Sequence, residues 1–329
     1  MTGTLPASRD PVAPLPPGPS RPRWSVMIPT YRCARYLGQT LESVLVQDPG
    51  PEVMQIEVVD DGSDDAPEAV VRALGRGRVA FFRQPRNVGH IANFHTCLTR
   101  ARGEIVHLLH GDDVVRPGFY AALQRGFDAH PALGAAFCRP VYANAAGNAV
   151  AMVPEEQPHA GLLPDALARI ATEQRIMTPS IAVRRAVYER LGGFDRRLAC
   201  AEDWEMWVRI AAHFPIWYEP RALAVYRMHG ASNTGRHVAA AADAAYNRMA
   251  IDIFSAHLPQ DRAAAITRQA RHIYAASALG TARDLLRAGD TAGCLAQVRE
   301  ALRLAPSVGV LYRSAIIVLT AGRRHATGH

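Results

Sequence analysis

Five short clusters in this sequence hold residue types that can do chemistry together. Pro29-Thr30-Tyr31-Arg32 offers a ring that can stack on a nucleobase, although a Pro-Thr turn can also merely end a strand. Asp60-Asp61-Gly62-Ser63 brings two carboxylates to a glycine turn, where a carboxylate can accept from a base N–H or a ribose hydroxyl. The same run is a good helix entry, with Asp64 or Asp65 able to cap the next helix. His110-Gly111-Asp112-Asp113 places two acids directly after an apolar run. Packing explains them poorly, whereas oxygen ligands suit Mg²⁺ or Mn²⁺, which can bridge a carboxylate to a nucleoside diphosphate. One of the two can instead cap a helix beginning near Pro117. Glu202-Asp203-Trp204-Glu205-Met206-Trp207 sets acids beside bulky aromatics, where desolvation can lift a carboxylate toward general-base range. Acids also favour a helix start. In Tyr226-Arg227-Met228-His229, Arg227 can hold phosphate and His229 metal or diphosphate, while a lone histidine is also commonly structural.

The elements that must position these clusters follow from periodicity. Trp24 to Pro29 predicts a buried strand, and Leu37, Leu41, Val44 and Leu45 recur at helical spacing after it. Further strands are expected at Gln55 to Val59, Val79 to Arg83 and Ile105 to Leu109, with a helix opening at Pro67 and another ending near Ala101. This alternation predicts an α/β fold with a mainly parallel sheet flanked by helices, whose ligands sit at the carboxyl ends of strands. The polar clusters fall at those ends. Residues 24–150 then form a nucleotide-binding half and 151–235 an acceptor half. From 236 to 329 the chain turns rich in alanine, leucine and arginine, with breaks at Pro259, Gly289-Asp290 and Pro306 that predict three or four packed helices. Ala282 to Leu304 resembles a tetratricopeptide hairpin, one unit being too little for an array. This helical extension can buttress the catalytic domain, contact proteins or meet a membrane surface.

Composition narrows the classes. With 49% hydrophobic and 20% charged residues the 329-residue chain can build a real core. Residues 1–23 are crowded with proline and lack the apolar core of a signal peptide, which predicts a disordered tail. No run reaches the roughly 18 apolar residues of a membrane span. The five cysteines are scattered, as expected of a protein in a reducing cytoplasm. Every one of the 37 basic residues is arginine, which excludes pyridoxal Schiff bases and the P-loop lysine. The net charge of +7 comes with arginines dispersed along the chain and no nucleic-acid motif, so no nucleic-acid partner is expected.

In this order the clusters resemble the family 2 glycosyltransferases, from Ser25 through about Ser232. The resemblance implies the GT-A fold and an inverting, metal-dependent transfer of sugar from a nucleoside diphosphate, a UDP-sugar by default, to a glycan or lipid-linked acceptor in the making of cell-surface polysaccharide or glycolipid. Pro29, Thr30, Tyr31, Asp60 and Asp61 would hold the nucleoside, with Asn87 and Asn93 lining the same pocket. His110 stands where the family's Asp-x-Asp metal motif begins, leaving Asp112 as the ligand for Mn²⁺ or Mg²⁺ and Asp113 near the donor sugar or acceptor. His229 would approach the metal or diphosphate, and Asp203, with Glu202 as fallback, would be the catalytic base. The implied place is the cytoplasm, with a peripheral position at the inner face of the plasma membrane open through the arginine-bearing helices. Two other readings use the same fold. A nucleotidyltransferase would need a glycine-rich loop and a lysine that are absent here, and a non-catalytic GT-A-like scaffold would account for His110.

Overall fold

The computed structural model describes residues 7–16, 21–230 and 232–327. Strands β1 (Trp24–Thr30), β2 (Met54–Asp60), β3 (Ala80–Arg83) and β4 (Ile105–Leu108) alternate with helices α1 (Ala34–Leu45), α2 (Pro67–Gly75) and α3 (His90–Arg100). There follow β5 (Val114–Val115), α4 (Phe119–Ala129), β6 (Ala135–Ala143), β7 (Ala149–Met152), β8 (Gly161–Leu162), α5 (Ala166–Thr172), β9 (Ile181–Arg184), α6 (Arg185–Leu191), α7 (Glu202–Ala211) and β10 (Ile216–Arg227). All ten strands belong to one sheet of order β3-β2-β1-β4-β9-β6-β10-β5, with β7 on β6 and β8 on β10. Strands β3, β2, β1 and β4 run parallel, as do β6 and β10, while β9 is antiparallel to both β4 and β6.

Burial explains why the first strands read as unbroken apolar runs. Every residue of β1, β2 and β4 is buried, because helices cover both faces of a parallel sheet. On α1 the buried set is Tyr36, Leu37, Thr40, Leu41 and Val44, one face of a helix. Leu37, Leu41 and Val44 join Val26, Ile28, Val58, Ile105, Phe119, Leu123 and Phe127 in the core that fixes where β1 and β4 end.

The chain forms two compact units. The first comprises Met1–Ala166, Arg175–Arg197 and Arg209–Met228, and the second Leu167–Gln174, Leu198–Val208 and His229–His329. The lasting change of unit falls at His229, ahead of the boundary expected after 235, and two earlier segments already belong to the second unit. Residues 7–16, expected within a disordered tail, instead lie on the first unit. Arg9 faces the fully buried Asp195 at 3.4 Å, the Asp10 carbonyl accepts from Gly193 N–H at 2.9 Å, and Val12 is buried. A buried carboxylate needs cations and donors, and this segment supplies both Arg9 and the Ser8 hydroxyl to Asp195.

In the second unit α8 (Asn233–Ala239), α9 (Asp243–Phe254), α10 (Gln260–Arg287), α11 (Thr291–Leu304) and α12 (Val308–Thr327) follow one another. The breaks fall where the sequence places them, before α10 at Pro259, between α10 and α11 at Gly289-Asp290, and before α12 at Pro306. Asp290 caps α11 by accepting from Gly293 N–H at 2.8 Å. Leu279, Ala282 and Leu286 of α10 are buried, as are Cys294, Val298 and Ala301 of α11. Across these helices Arg248 Nε donates to Glu300 at 3.0 Å.

Candidate active site

The site is built where β1, β2 and β4 end. Arg32, two residues after β1, sits in the left-handed region at φ 51° and is held there from the next turn. Its N–H donates to Ser63 Oγ at 2.9 Å and its guanidinium pairs with Asp64. Asp65 accepts from Ala34 N–H at 2.8 Å, so it caps α1, the helix behind it, rather than the helix ahead. The N-cap of α2 is Ala66 with no side-chain cap, and Pro67 opens that helix as expected. The turns after β1 and β2 are therefore braced to each other by Ser63, Asp64 and Asp65.

Most of the residues expected to hold the nucleoside are fixed inside these turns. Asp60 is fully buried, accepts from Ser63 N–H and faces Arg83 at 3.5 Å. Asp61 accepts from Val88 N–H at 2.7 Å, Gly89 N–H at 3.0 Å and Asn87 Nδ2 at 3.0 Å. Burial pushes its carboxyl above the usual range while the two backbone N–H groups oppose the shift. Asp61 thus ties the 87–89 loop to the end of β2, and Gly62 is required there because a Cβ would stand 2.9 Å from the backbone of Arg86 and Asn87. Asn93, 2% exposed, donates to Val59 O at 2.9 Å. Thr30 and Pro29 are buried, and Pro29 O accepts from Gly111 N–H at 3.1 Å. Tyr31 is half-buried, with the Arg32 guanidinium over its ring at 5.2 Å.

The acidic turn after β4 has the most worked surroundings. Gly111 passes so close to β1 that a Cβ would lie 2.6 Å from Thr30 Oγ1 and 2.8 Å from Cys33 Sγ. The Thr40 hydroxyl of α1 donates to Asp113 O at 2.8 Å, with Gly111 O at 3.1 Å. Arg227, at the end of β10, clamps the turn. Its backbone N–H donates to Asp113 Oδ1 at 2.8 Å and its Nε to Asp112 O at 2.8 Å. The rest of the guanidinium reaches Ala145 O and Gln39 Oε1 and lies over the Tyr36 ring. Expected as a phosphate ligand, Arg227 is 3% exposed, with its backbone N–H and Nε on the two aspartates and its terminal nitrogens on Ala145 and Gln39.

Asp113 is 1% exposed, and its second oxygen faces His110 Nδ1 at 3.5 Å. Burial first, then the neighbouring charge of Asp112, pushes its carboxyl up to about 6, against the pull of His110 and the Arg227 N–H. The imidazole of His110 stacks on Phe94 at 5.3 Å and 12°, which fixes its plane. Among the described residues, His110, Asp112 and Asp113 form one group whose ligand atoms all lie within 4.8 Å of one another. This set differs from the expected pair of Asp112 and His229. Asp113, expected near sugar or acceptor, and His110, standing where the metal motif begins, both lie in the group with Asp112, whereas His229 belongs to the second unit.

In that second unit Glu202 and Asp203 open α7. Asp203 Oδ1 accepts from Trp204 N–H at 2.8 Å, a helix-start contact. Asp203 is half-buried and Glu202 buried. Trp204 anchors the turn, its Nε1 donating to Ile170 O at 2.6 Å and its ring packing on Phe254 and Tyr274. His229 is half-buried, and its carbonyl accepts from Ser232 N–H at 3.1 Å.

Sequence reasoning missed Thr40, Gln39 and Tyr36, which hold the acidic turn and Arg227 from α1. Thr40 carries a signal, being a polar residue inside the apolar stripe of Leu37, Leu41 and Val44. The close approach at Gly111 gives a direct prediction. Gly111→Ala should destabilise the protein by about 1–3 kcal/mol through overpacking. Chemical denaturation checks it, and an unchanged midpoint would show that Thr30 and Cys33 can give way.

Residues 25–192 match the family model described as glycosyl transferase family 2. An uncharacterised Mycobacterium tuberculosis protein, MT1568, is 28% identical over 232 residues, 67% of this chain and 72% of that protein. The uncharacterised glycosyltransferase MG025 of Mycoplasma genitalium is 28% identical over 123 residues, 36% of this chain and 41% of its own length. Among solved structures, S. aureus TarS 1–349 superposes with a TM-score of 0.66 at 15% identity, covering 93% of this chain and 92% of that one. Mannosyltransferase PcManGT from Pyrobaculum calidifontis, in complex with GDP-Man and Mn²⁺, gives 0.57 at 19% identity, covering 98% of this chain and 84% of that one. TarS 1–349 is also solved with UDP-GlcNAc, with a TM-score of 0.57 at 16% identity, covering 85% of this chain and 91% of that one.

Proposed function

The chain belongs to glycosyl transferase family 2 and is a glycosyltransferase with the GT-A type fold, and from that premise we propose that it moves a sugar from a nucleoside diphosphate to an acceptor hydroxyl with inversion at the sugar carbon. The observation that carries this reading is the convergence of His110, Asp112 and Asp113 at the end of β4, beside the braced turns after β1 and β2. A UDP-sugar is the default donor and a glycan or lipid-linked saccharide the acceptor class. The TarS complex with UDP-GlcNAc and the mannosyltransferase complex with GDP-Man support a nucleotide sugar of either base.

Two carboxylates and one imidazole, preset around one point, fit Mn²⁺ or Mg²⁺, with the imidazole favouring Mn²⁺. Held by these three side chains, such an ion would supply positive charge for the diphosphate as it leaves. The chain's own residues do the rest. Tyr31 offers its ring to the base, and Arg227 keeps Asp112 and Asp113 in place. Asp203 takes the proton of the acceptor hydroxyl, with Glu202 as the alternative base. The freed oxygen attacks the anomeric carbon, the bond to the diphosphate oxygen breaks, and its electron pair leaves with the nucleotide. A non-catalytic scaffold was suggested by His110, but an imidazole that shares a ligand group with both acids weighs for a working site.

Nucleotide binding tests the reading. With UDP, GDP or dTDP at about a hundred times its dissociation constant, the native state should gain roughly 2.7 kcal/mol. Thermal unfolding with Mn²⁺ or Mg²⁺, and again with chelator, should show this shift for at least one base and only with the metal. No shift with any nucleotide would overturn the proposal.

A further inference from the structure

The net charge of this protein is unevenly placed, because carboxylates thin out towards the C-terminus while the arginines stay dispersed. Residues 229–329 hold twelve arginines against six carboxylates, so this helical segment carries +6 of the +7 total. Its last described helix, α12, has three arginines and no acid. The helix is also apolar on two opposite sides. Val310, Ser314, Ile317 and Ala321 are buried. Facing away from them, Val308, Leu311, Tyr312, Ile316, Val318 and Leu319 are 84, 51, 69, 44, 43 and 65% exposed. At 100° per residue these six side chains sweep about 160° of the helix. A stripe of that width on a packed helix calls for a cover.

We propose that this face of α12 docks on an anionic membrane surface, lying in its interface without crossing it. Among the described residues no helix is long and apolar enough to span a bilayer. An apolar face on an arginine-rich, net cationic segment is the chemistry that partitions into the boundary between acyl chains and anionic headgroups. A cavity of about 590 Å³ adjoins the start of the stripe, lined by Arg268, Arg271, His272 and Ser307, directly before Val308. Its lining adds positive charge at this end of the helix, with Arg271 also pairing with Asp252. Charge decides against a second copy of this chain as the cover, because two segments of +6 would be brought face to face. The inference stands on the second unit alone and is independent of sugar transfer.

Sedimentation of the full-length protein with vesicles tests it. Vesicles of phosphatidylcholine mixed with phosphatidylglycerol should bind at least about tenfold more protein than phosphatidylcholine alone, and high salt should release most of it. The Leu311→Glu/Ile316→Glu variant should lose this binding, also about tenfold, with an unchanged thermal unfolding curve because both positions are exposed. Absence of binding to anionic vesicles would overturn the proposal. So would a soluble oligomer, seen by light scattering, that the double variant dissolves, since the cover would then be a second copy.

Discussion

An Asp203→Asn enzyme should transfer sugar about 10²–10⁴-fold more slowly than the parent while binding nucleotide as well as before, the loss expected for a positioned general base. The substitution separates chemistry from helix capping. Asp203 Oδ1 accepts from Trp204 N–H at 2.8 Å, and the amide oxygen of asparagine can do the same, so the start of α7 keeps its contact. Asp203→Ala removes both, and should add a stability loss of about 0.3–1 kcal/mol, that of an acid in a first helical turn, to the kinetic one. Initial rates with a competent donor and acceptor, beside unfolding curves for both variants, make the distinction. Full transfer by the asparagine enzyme would remove Asp203 from the mechanism and move the role to Glu202, for which Glu202→Gln is the matching test.

The second large effect is expected at Asp112. Its side chain is half-buried, while its carbonyl is held by Arg227 Nε. Asp112→Asn should therefore leave the turn in place and remove one anionic ligand. Stabilisation of a developing diphosphate by a metal is worth several kcal/mol. At 1.36 kcal/mol for each factor of ten, transfer should fall by about 10³-fold. The same variant should lose the metal-dependent part of the nucleotide-induced thermal shift, which a merely structural aspartate would leave intact. Retention of both would show that His110 and Asp113 do not group with Asp112 for a metal.

What the sequence made legible was the frame and the location of the site. Buried parallel strands read as apolar runs, so β1, β2 and β4 and the polar turns after them were visible directly. Partnership was much less visible. Asp61 and Asn93 read as ligands in a string of letters, and nothing local shows that one also ties the 87–89 loop and the other bonds a strand carbonyl. Asp65 caps a helix that precedes it by some thirty residues of chain, a contact that only the packing of two turns creates. The antiparallel β9, slotted between β4 and β6, has no local signal of its direction, because pairing is decided by strands far away in sequence. Arg227 reads as a cation in the sequence, whereas its burial against Tyr36 and its hold on the acidic turn come only from the packing of distant segments.

That clamp has a consequence for biosynthesis. Asp113 emerges 114 residues before the backbone group of Arg227 that binds it, and β5, which follows directly, pairs with β10. A nascent chain ending at residue 192, which spans the whole region matched by the family model, has made both aspartates but neither partner. Non-local pairing of this kind is closed late, after the costs of bringing distant segments together have been met. The metal-facing turn should thus mature only when β10 has left the ribosome, so that protein stalled or cleaved ahead of it carries the acids without the geometry.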